Sequence, residues 1–252
     1  MVETKTPVVK RHPAVEKDMK EVTVITPCYN EEMTIERCIS AIAHILETHF
    51  VTWEIIVVDD GSKDNTYKLA LKVSSKRNNI MVLRHHKNLG KGRAVDTALK
   101  QASGCVILVQ DADLEYSPDE IPRLADPILR GKADAVLGSR FLGSIDRMSV
   151  SHLVGNIFLT KLFNVVRRTK FTDIMTGHKA VEGSLFRAYS TKTNSFDFEI
   201  DLLCYLVSVY ARIIELPIRY RRRLYGKAKI KWADGIKCAI WILRRLRFAP
   251  DE

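Results

Sequence analysis

Trp53-Glu54-Ile55-Ile56-Val57-Val58-Asp59 runs into a turn at Asp60-Gly61-Ser62, and a helix follows whose start is marked by Asp64 and Thr66. An apolar β-rich run, a glycine turn and a capped segment of helical period make one βα unit. The same order stands before it, where Val22-Thr23-Val24-Ile25-Thr26-Pro27 leads into a helical pattern over residues 31–47. Residues 80–84, 105–110 and 133–139 read as three further strands, with a helix near 92–102 between the first two of them. Strands this apolar, joined by helical crossovers, belong to a mostly parallel sheet covered by helices on both faces. The fold class is α/β and Rossmann-like, and such a sheet binds its ligand beyond the carboxyl ends of its strands.

Beyond Met148 the alternation gives way to helical stretches at 151–168, 184–190 and 198–209 and to one extended segment at 212–220. Residues 231–248 place Trp232, Ile236, Ile240 and Leu243 near helical spacing, with Lys237, Arg244 and Arg245 on the flanks. Such a basic amphipathic helix lays its apolar stripe either on the domain or on lipid, and the pattern leaves both open. No internal repeat and no Pro/Gly-rich linker divides the chain. The expected organisation is a flexible tail at 1–20, one globular domain at 21–230 and the amphipathic helix at 231–252.

A chain of 252 residues that is 46% hydrophobic and 28% charged falls among globular proteins and outside the disordered and disulfide-scaffold classes. Its five cysteines are scattered, with no C-x-x-C pair, which argues against a disulfide framework or zinc site and for a reducing compartment. The first twenty residues lack the apolar stretch of a signal peptide. The longest run without Asp, Glu, Lys or Arg, residues 148–160, is shorter than the ~20 residues that span a bilayer as a helix. The net charge of +10 is concentrated late, since residues 201–252 hold 12 basic against 5 acidic side chains. That asymmetry points to a polyanionic partner: a membrane surface, phosphates or nucleic acid.

Asp111-Ala112-Asp113 follows the strand at 105–110, so two carboxylates at i and i+2 stand where the ligand cleft opens. Hard oxygens so placed suit Mg²⁺ or Mn²⁺ with substrate phosphates and water completing the shell, and the plainer reading is a pair of helix-capping acids. Asp59-Asp60-Gly61-Ser62 occupies the equivalent place after the second strand, either as a capped turn or as acids that hydrogen-bond a base or ribose. Pro27-Cys28-Tyr29-Asn30-Glu31-Glu32 offers an aromatic face for a base, or merely a strand-to-helix loop with Asn30 as N-cap. Asn88-Leu89-Gly90-Lys91-Gly92-Arg93 departs from the Walker pattern and reads as a phosphate contact or a plain helix start. His85 and His86 are expected at the surface, and His178 as a structurally satisfied residue. The cysteines read as small apolar core residues. Trp53, Trp232 and Trp241 read as packing, with the last two also suited to a membrane interface.

Taken in order, these segments, followed by Gly138-Ser139-Arg140, resemble glycosyltransferase family 2 with its GT-A fold. Within it the chain looks most like the polyprenyl-phosphate and dolichyl-phosphate hexose synthases. The resemblance implies an inverting, metal-dependent hexosyltransferase that uses a nucleotide-diphosphate sugar of the GDP-mannose or UDP-glucose type and a lipid-phosphate acceptor. It implies that Pro27, Tyr29, Glu31, Asp59 or Asp60, Lys91, Asp111 and Ala112 serve the nucleotide sugar. Asp111, Asp113 and Glu115 would hold Mg²⁺ or Mn²⁺, and Arg140 and Arg147 would face the lipid phosphate, making Asp113, Arg140 and Arg147 the catalytic set. The family's Gly-x-Ser-Lys element appears as Gly226-Lys227-Ala228-Lys229, and its Asp-x-x-Ser-Gly-Phe/Tyr element as Asp173-Ile174-Met175-Thr176-Gly177-His178.

The second half of the chain would then shape the acceptor side, with Lys229 near it. Were the acceptor a sugar hydroxyl, a carboxylate base would be needed; Glu199 is the candidate, with a salt-bridged helix acid as its plainer reading. An anionic membrane surface at the cytoplasmic face is the expected location, or else a membrane partner subunit that delivers the acceptor. A non-enzymatic basic module for nucleic acid is the competing class, and the chain carries no recognisable motif for specific nucleic-acid binding.

Overall fold

The computed structural model describes residues 20–191, 198–223 and 232–244. Three near-continuous apolar strands sit at its centre: β1 (Lys20–Cys28), β2 (Trp53–Asp59) and β4 (Gly104–Val109). Alternate residues go to opposite faces. Val22, Val24, Ile55, Val57, Val106 and Leu108 pack under helices α1 (Ile35–His49), α2 (Thr66–Ser74) and α4 (Ile121–Leu129). Ile25, Ile56, Val58, Ile107 and Val109 pack under α3 (Lys91–Leu99), α6 (Gly183–Ala188) and α7 (Phe198–Ser208). Burial on both faces is why these strands read as solid apolar runs rather than as alternating ones.

The seven-stranded sheet has the order β3-β2-β1-β4-β6-β5-β7, with β3 at Ile80–Arg84, β5 at Ala135–Asp146, β6 at Lys179–Glu182 and β7 at Ile213–Arg221. Every pairing is parallel except the two made by β6. β6 is absent from the sequence reading because only Ala180 and Val181 of its four residues are apolar, too few for any period to show. β5 continues past the expected end at residue 139, through a register shift, because β7 pairs with the polar stretch Ser144 to Asp146. α4 carries Pro122 and Pro127, residues that mask a helix in a sequence.

From β1 the chain moves outward to β2 and β3, then returns to β4 on the other side of β1. This reversal opens a crevice at the carboxyl ends of β1 and β4, into which the loops after β1, β2 and β4 converge. A third core joins α5 (Val150–Arg167), α7 and α8 (Trp232–Arg244) around Leu159, Phe163, Leu203, Cys238 and Ile242. No helix among the described residues is long and apolar enough to cross a membrane.

Two glycines test the packing in opposite directions. A Cβ on Gly183 would overlap the Gly104 carbonyl oxygen and lie 3.0 Å from that of Cys105, both backbone atoms of β4. A Cβ on Gly155, inside α5, would meet nothing within 4 Å. Gly183→Ala is expected to lose roughly 1–3 kcal/mol through overpacking. Gly155→Ala is expected to gain about 1 kcal/mol through helix propensity. Urea unfolding midpoints at unchanged slope read both signs.

Candidate active site

Asp111 and Asp113 leave the end of β4 on a loop that is tied from beneath. The Gln110 side-chain amide donates to the carbonyls of Asp111 (3.3 Å) and Tyr116 (3.1 Å). Leu114 adopts a left-handed φ of 59°. The Asp113 carboxylate accepts from the Glu115 N–H at 3.0 Å. These carboxylates crowd one turn of chain, and cations from distant segments meet them. Lys91 Nζ lies 2.7 Å from Asp111 Oδ1 and 2.7 Å from Glu199 Oε1. Arg223 donates through Nη2 to Asp113 Oδ2 and through Nε to Glu115 Oε1, each at 2.8 Å. Burial first, then the charges of Asp111 and Glu115, push the Asp113 carboxyl well above its usual range against the pull of Arg223. Burial would lower the Lys91 ammonium, but Asp111 and Glu199 reverse this and hold it firmly charged.

The second acidic strand end positions Lys91. Asp60 accepts from the N–H groups of Leu89 and Gly90, each at 2.8 Å, and from His85 Nδ1 at 2.7 Å. Gly90 has φ 96°, a left-handed value that favours glycine, and Lys91 follows as the first residue of α3. Asp59 is fully buried, accepts from Ser62 N–H at 3.2 Å and lies 3.0 Å from Arg84 Nε. Both carboxylates are therefore engaged in loop structure, and Asp60 also borders the cleft. His85 is likewise no surface residue, since Thr97 holds its other ring nitrogen at 2.9 Å. Asn30 is not the N-cap of α1, a place taken by Thr34. With φ 51°, Asn30 instead accepts from Lys63 N–H at 2.8 Å while its own N–H donates to Ser62 Oγ, which clamps the loops after β1 and β2 together.

A cleft of about 350 Å³ runs between these groups. Pro27, Tyr29, Glu31 and Asp60 line it. So do Lys91, Asp111, Asp113 and Glu115, and with them Ala112, Arg140 and Glu199. Tyr29 also borders a neighbouring cavity of about 670 Å³ that carries Lys63, Arg84, His86 and Lys87. Arg140 is buried and doubly paired with Asp173, through Nε at 2.7 Å and Nη2 at 2.8 Å. Arg147 stands apart at the surface, its side chain 84% exposed. Lys229 lies outside the described residues.

Sequence reading missed Arg223, which it counted within the basic excess of residues 201–252. It also missed Tyr116, whose hydroxyl accepts from Gly177 N–H at 3.2 Å on the cleft wall. Among the described residues no three of His, Cys, Asp and Glu gather as a closed metal cage. Arg223 bridges the last two of Asp111, Asp113 and Glu115. The fit to a divalent ion is that of an open site, in which two hard-oxygen carboxylates leave most of a shell to phosphates and water.

The sheet order and the carboxylate-bearing strand end in its crevice define a GT-A glycosyltransferase fold. Residues 23–190 match Glycosyl transferase family 2, and the chain belongs to that family. That family is one of glycosyltransferases, a class other than a non-enzymatic basic module. It is 32% identical over 221 residues to a dolichol-phosphate mannosyltransferase of Pyrococcus furiosus, a match covering 84% of this chain. The chain spans 59% of that relative's length. It is 31% identical to a UDP-N-acetylglucosamine–dolichyl-phosphate N-acetylglucosaminyltransferase of Methanococcus voltae, over 83% of this chain and 89% of the relative. A crystal structure of glucosyl-3-phosphoglycerate synthase from Mycobacterium tuberculosis with Mn²⁺, UDP-glucose and phosphoglyceric acid superposes with a TM-score of 0.72. That likeness is at 23% identity and covers 92% of this chain and 81% of that one.

His178 stands where the resembling element has Phe or Tyr, and its environment is that of an aromatic apolar residue. The ring lies 5.5 Å from Tyr116, and among the described residues neither ring nitrogen has a hydrogen-bond partner. Burial first, helped by the charges of Lys91 and Lys179 and opposed by that of Asp111, lowers its pKa to about 4. The unfolded chain binds this proton near pH 6.5 and the folded chain does not, so stability falls as pH drops from about 6.5 towards 4. His178→Phe should flatten this limb by up to about 3 kcal/mol in urea unfolding between pH 7 and 4.5. An identical slope in both proteins would contradict the assignment.

Proposed function

We propose that this chain moves a hexose from a nucleotide-diphosphate sugar to a polyprenyl or dolichyl phosphate, with inversion, at the surface of a membrane. The observation that carries the reading is the pairing of Asp111 and Asp113 at the end of β4 with two fixed cations, Lys91 and Arg223, in one crevice. The names of the relatives, which are dolichyl-phosphate and undecaprenyl-phosphate transferases, support the acceptor class.

In this reading Tyr29 presents its ring to the base, and Asp59 and Asp60 act as positioning residues that fix the loop carrying Lys91. Asp111 and Asp113 would hold Mg²⁺ or Mn²⁺ together with the donor's phosphates, and the bound ion would act as a Lewis acid that neutralises charge on the leaving diphosphate. Lys91 adds a fixed positive charge on the same side. A phosphate monoester is mostly dianionic at neutral pH, given a second pKa of roughly 6, and attacks without a general base. Its oxygen forms the new bond to the sugar's C1 on the face opposite the departing diphosphate, which inverts that carbon. Arg140, held rigid by Asp173, supplies the positive field on the acceptor side. A hydroxyl acceptor fits less well, because Glu199 is ion-paired with Lys91 at 2.7 Å and a carboxylate so held is a poor base.

Two helices furnish the membrane contact. α8 turns Cys238 and Ile242 into the core it shares with α5 and α7 and leaves Ile236, Ile240 and Leu243 exposed. α5 exposes Val150, Val154, Ile157, Phe158 and Val165, which recur at helical spacing. The C-terminal helix therefore packs on protein by one face while another remains apolar and open. We assign these open faces to the headgroup boundary of an anionic bilayer at the cytoplasmic face, with Lys161 and Lys237 as nearby basic residues.

Asp111→Asn and Asp113→Asn should each lower transfer on the order of a hundredfold without unfolding the chain. In calorimetry the ion and the donor should each tighten the other's binding, and undiminished turnover in both variants would overturn the site. For the membrane contact, the chain should float with anionic vesicles at low salt, and Val154→Glu with Phe158→Glu should abolish flotation. Failure of the unaltered chain to float would transfer acceptor delivery to a membrane partner subunit.

A further inference from the structure

Arg223 lies beyond the family match, which ends at residue 190, yet its side chain is one of the best-held groups in the cleft. The end of β7 is stitched to the loop that carries the carboxylates and to the end of β5. Arg221 N–H donates to the Glu115 carbonyl at 2.9 Å, Arg222 N–H donates to the Asp146 carbonyl at 3.2 Å, and Tyr220 bridges to Tyr116. The backbone thus delivers Arg223 to a fixed place, where its side chain is 16% exposed and spans Asp113 and Glu115. A guanidinium never gives up its charge, and its planar fork holds two carboxylate oxygens with directional bonds.

Those oxygens are the ones a divalent ion on this loop would use. An oxygen lone pair given to an N–H is not available to a metal, and a fixed positive charge within a few ångströms opposes a second cation. A diphosphate brought to the same place changes the balance, because its oxygens can take the guanidinium in charge-assisted, bidentate bonds. We propose that Arg223 makes metal binding conditional on the donor: it competes with the ion for Asp113 and Glu115 and is drawn off by the donor's diphosphate. The inference rests on the metal-dependent reading above and adds its order of assembly. It turns Arg223 into a positioning residue for the diphosphate and a guard against occupation of the carboxylates by metal alone.

The test is Mn²⁺ binding, followed by electron paramagnetic resonance of the free ion, to the unaltered chain and to Arg223→Gln, with and without UDP or GDP. The unaltered chain should bind Mn²⁺ weakly alone and about tenfold or more tightly with one of the nucleotides. Arg223→Gln should bind Mn²⁺ alone about tenfold or more tightly than the unaltered chain, with most of the nucleotide dependence gone. Arg223→Lys keeps the charge but cannot span both carboxylates, so it should fall between the two, and it serves if the Gln variant does not fold. Affinities for Mn²⁺ alone within about twofold of the unaltered chain in both variants, with nucleotide enhancement intact, would overturn the role of Arg223 and leave the metal-dependent reading standing. Absence of Mn²⁺ binding under every condition would overturn both.

Discussion

Three carboxylates within five residues of one strand end, Asp111, Asp113 and Glu115, set the constraint that the rest of this structure answers. Half-buried negative charges so close together repel, and the effect is recorded in the raised pKa of Asp113. Their balance comes from two cations that the chain supplies from far away in sequence, Lys91 at the start of α3 and Arg223 after β7. Each of these is placed by its own apparatus. Asp60 builds the turn that ends at Lys91, and β7 is bonded through its backbone to the carboxylate loop before Arg223 leaves it.

The same constraint gives the fold its division of labour. The parallel half, β3-β2-β1-β4, sets loops at one edge with rigid strand ends beneath them, and Asn30 and Ser62 clamp two of those loops into one wall. The half built from β6, β5 and β7 returns cations to that edge, with Arg140 locked against Asp173 and Arg223 fixed by backbone pairing. α5 and α8 then close the third core and leave apolar side chains outward, on the half that carries Arg140. On the proposed reading, a nucleotide-sugar side and a lipid side fall to different halves of the chain.

Much of this was legible in the sequence where one local rule dominated. The βα alternation gave β1 to β4 because burial on both faces produces apolar runs, and the strand-end acids marked the crevice. What escaped was set by long-range pairing. β6 has too few apolar residues to announce itself and exists only between β4 and β5. Arg223 looks in sequence like its neighbours Arg221 and Arg222, and only the register of β7 turns it inward while Arg221 and Arg222 stay exposed. The loop contacts of Asp60 were not legible, since a carboxylate that organises a neighbouring loop and one that binds a ligand carry the same signature in sequence. The amphipathic period of α8 was real, but a helix with apolar groups on more than one side packs on protein and keeps a second face open.

The most direct test of the whole account is to isolate the lipid-soluble product formed from a panel of nucleotide-diphosphate sugars and polyprenyl phosphate with Mg²⁺ or Mn²⁺, and to read its mass and the configuration of its sugar carbon. The account predicts a polyprenyl-phosphate monosaccharide whose anomeric configuration is opposite to that of the donor. A product that retains the donor's configuration, or sugar found only on a water-soluble acceptor, would contradict it.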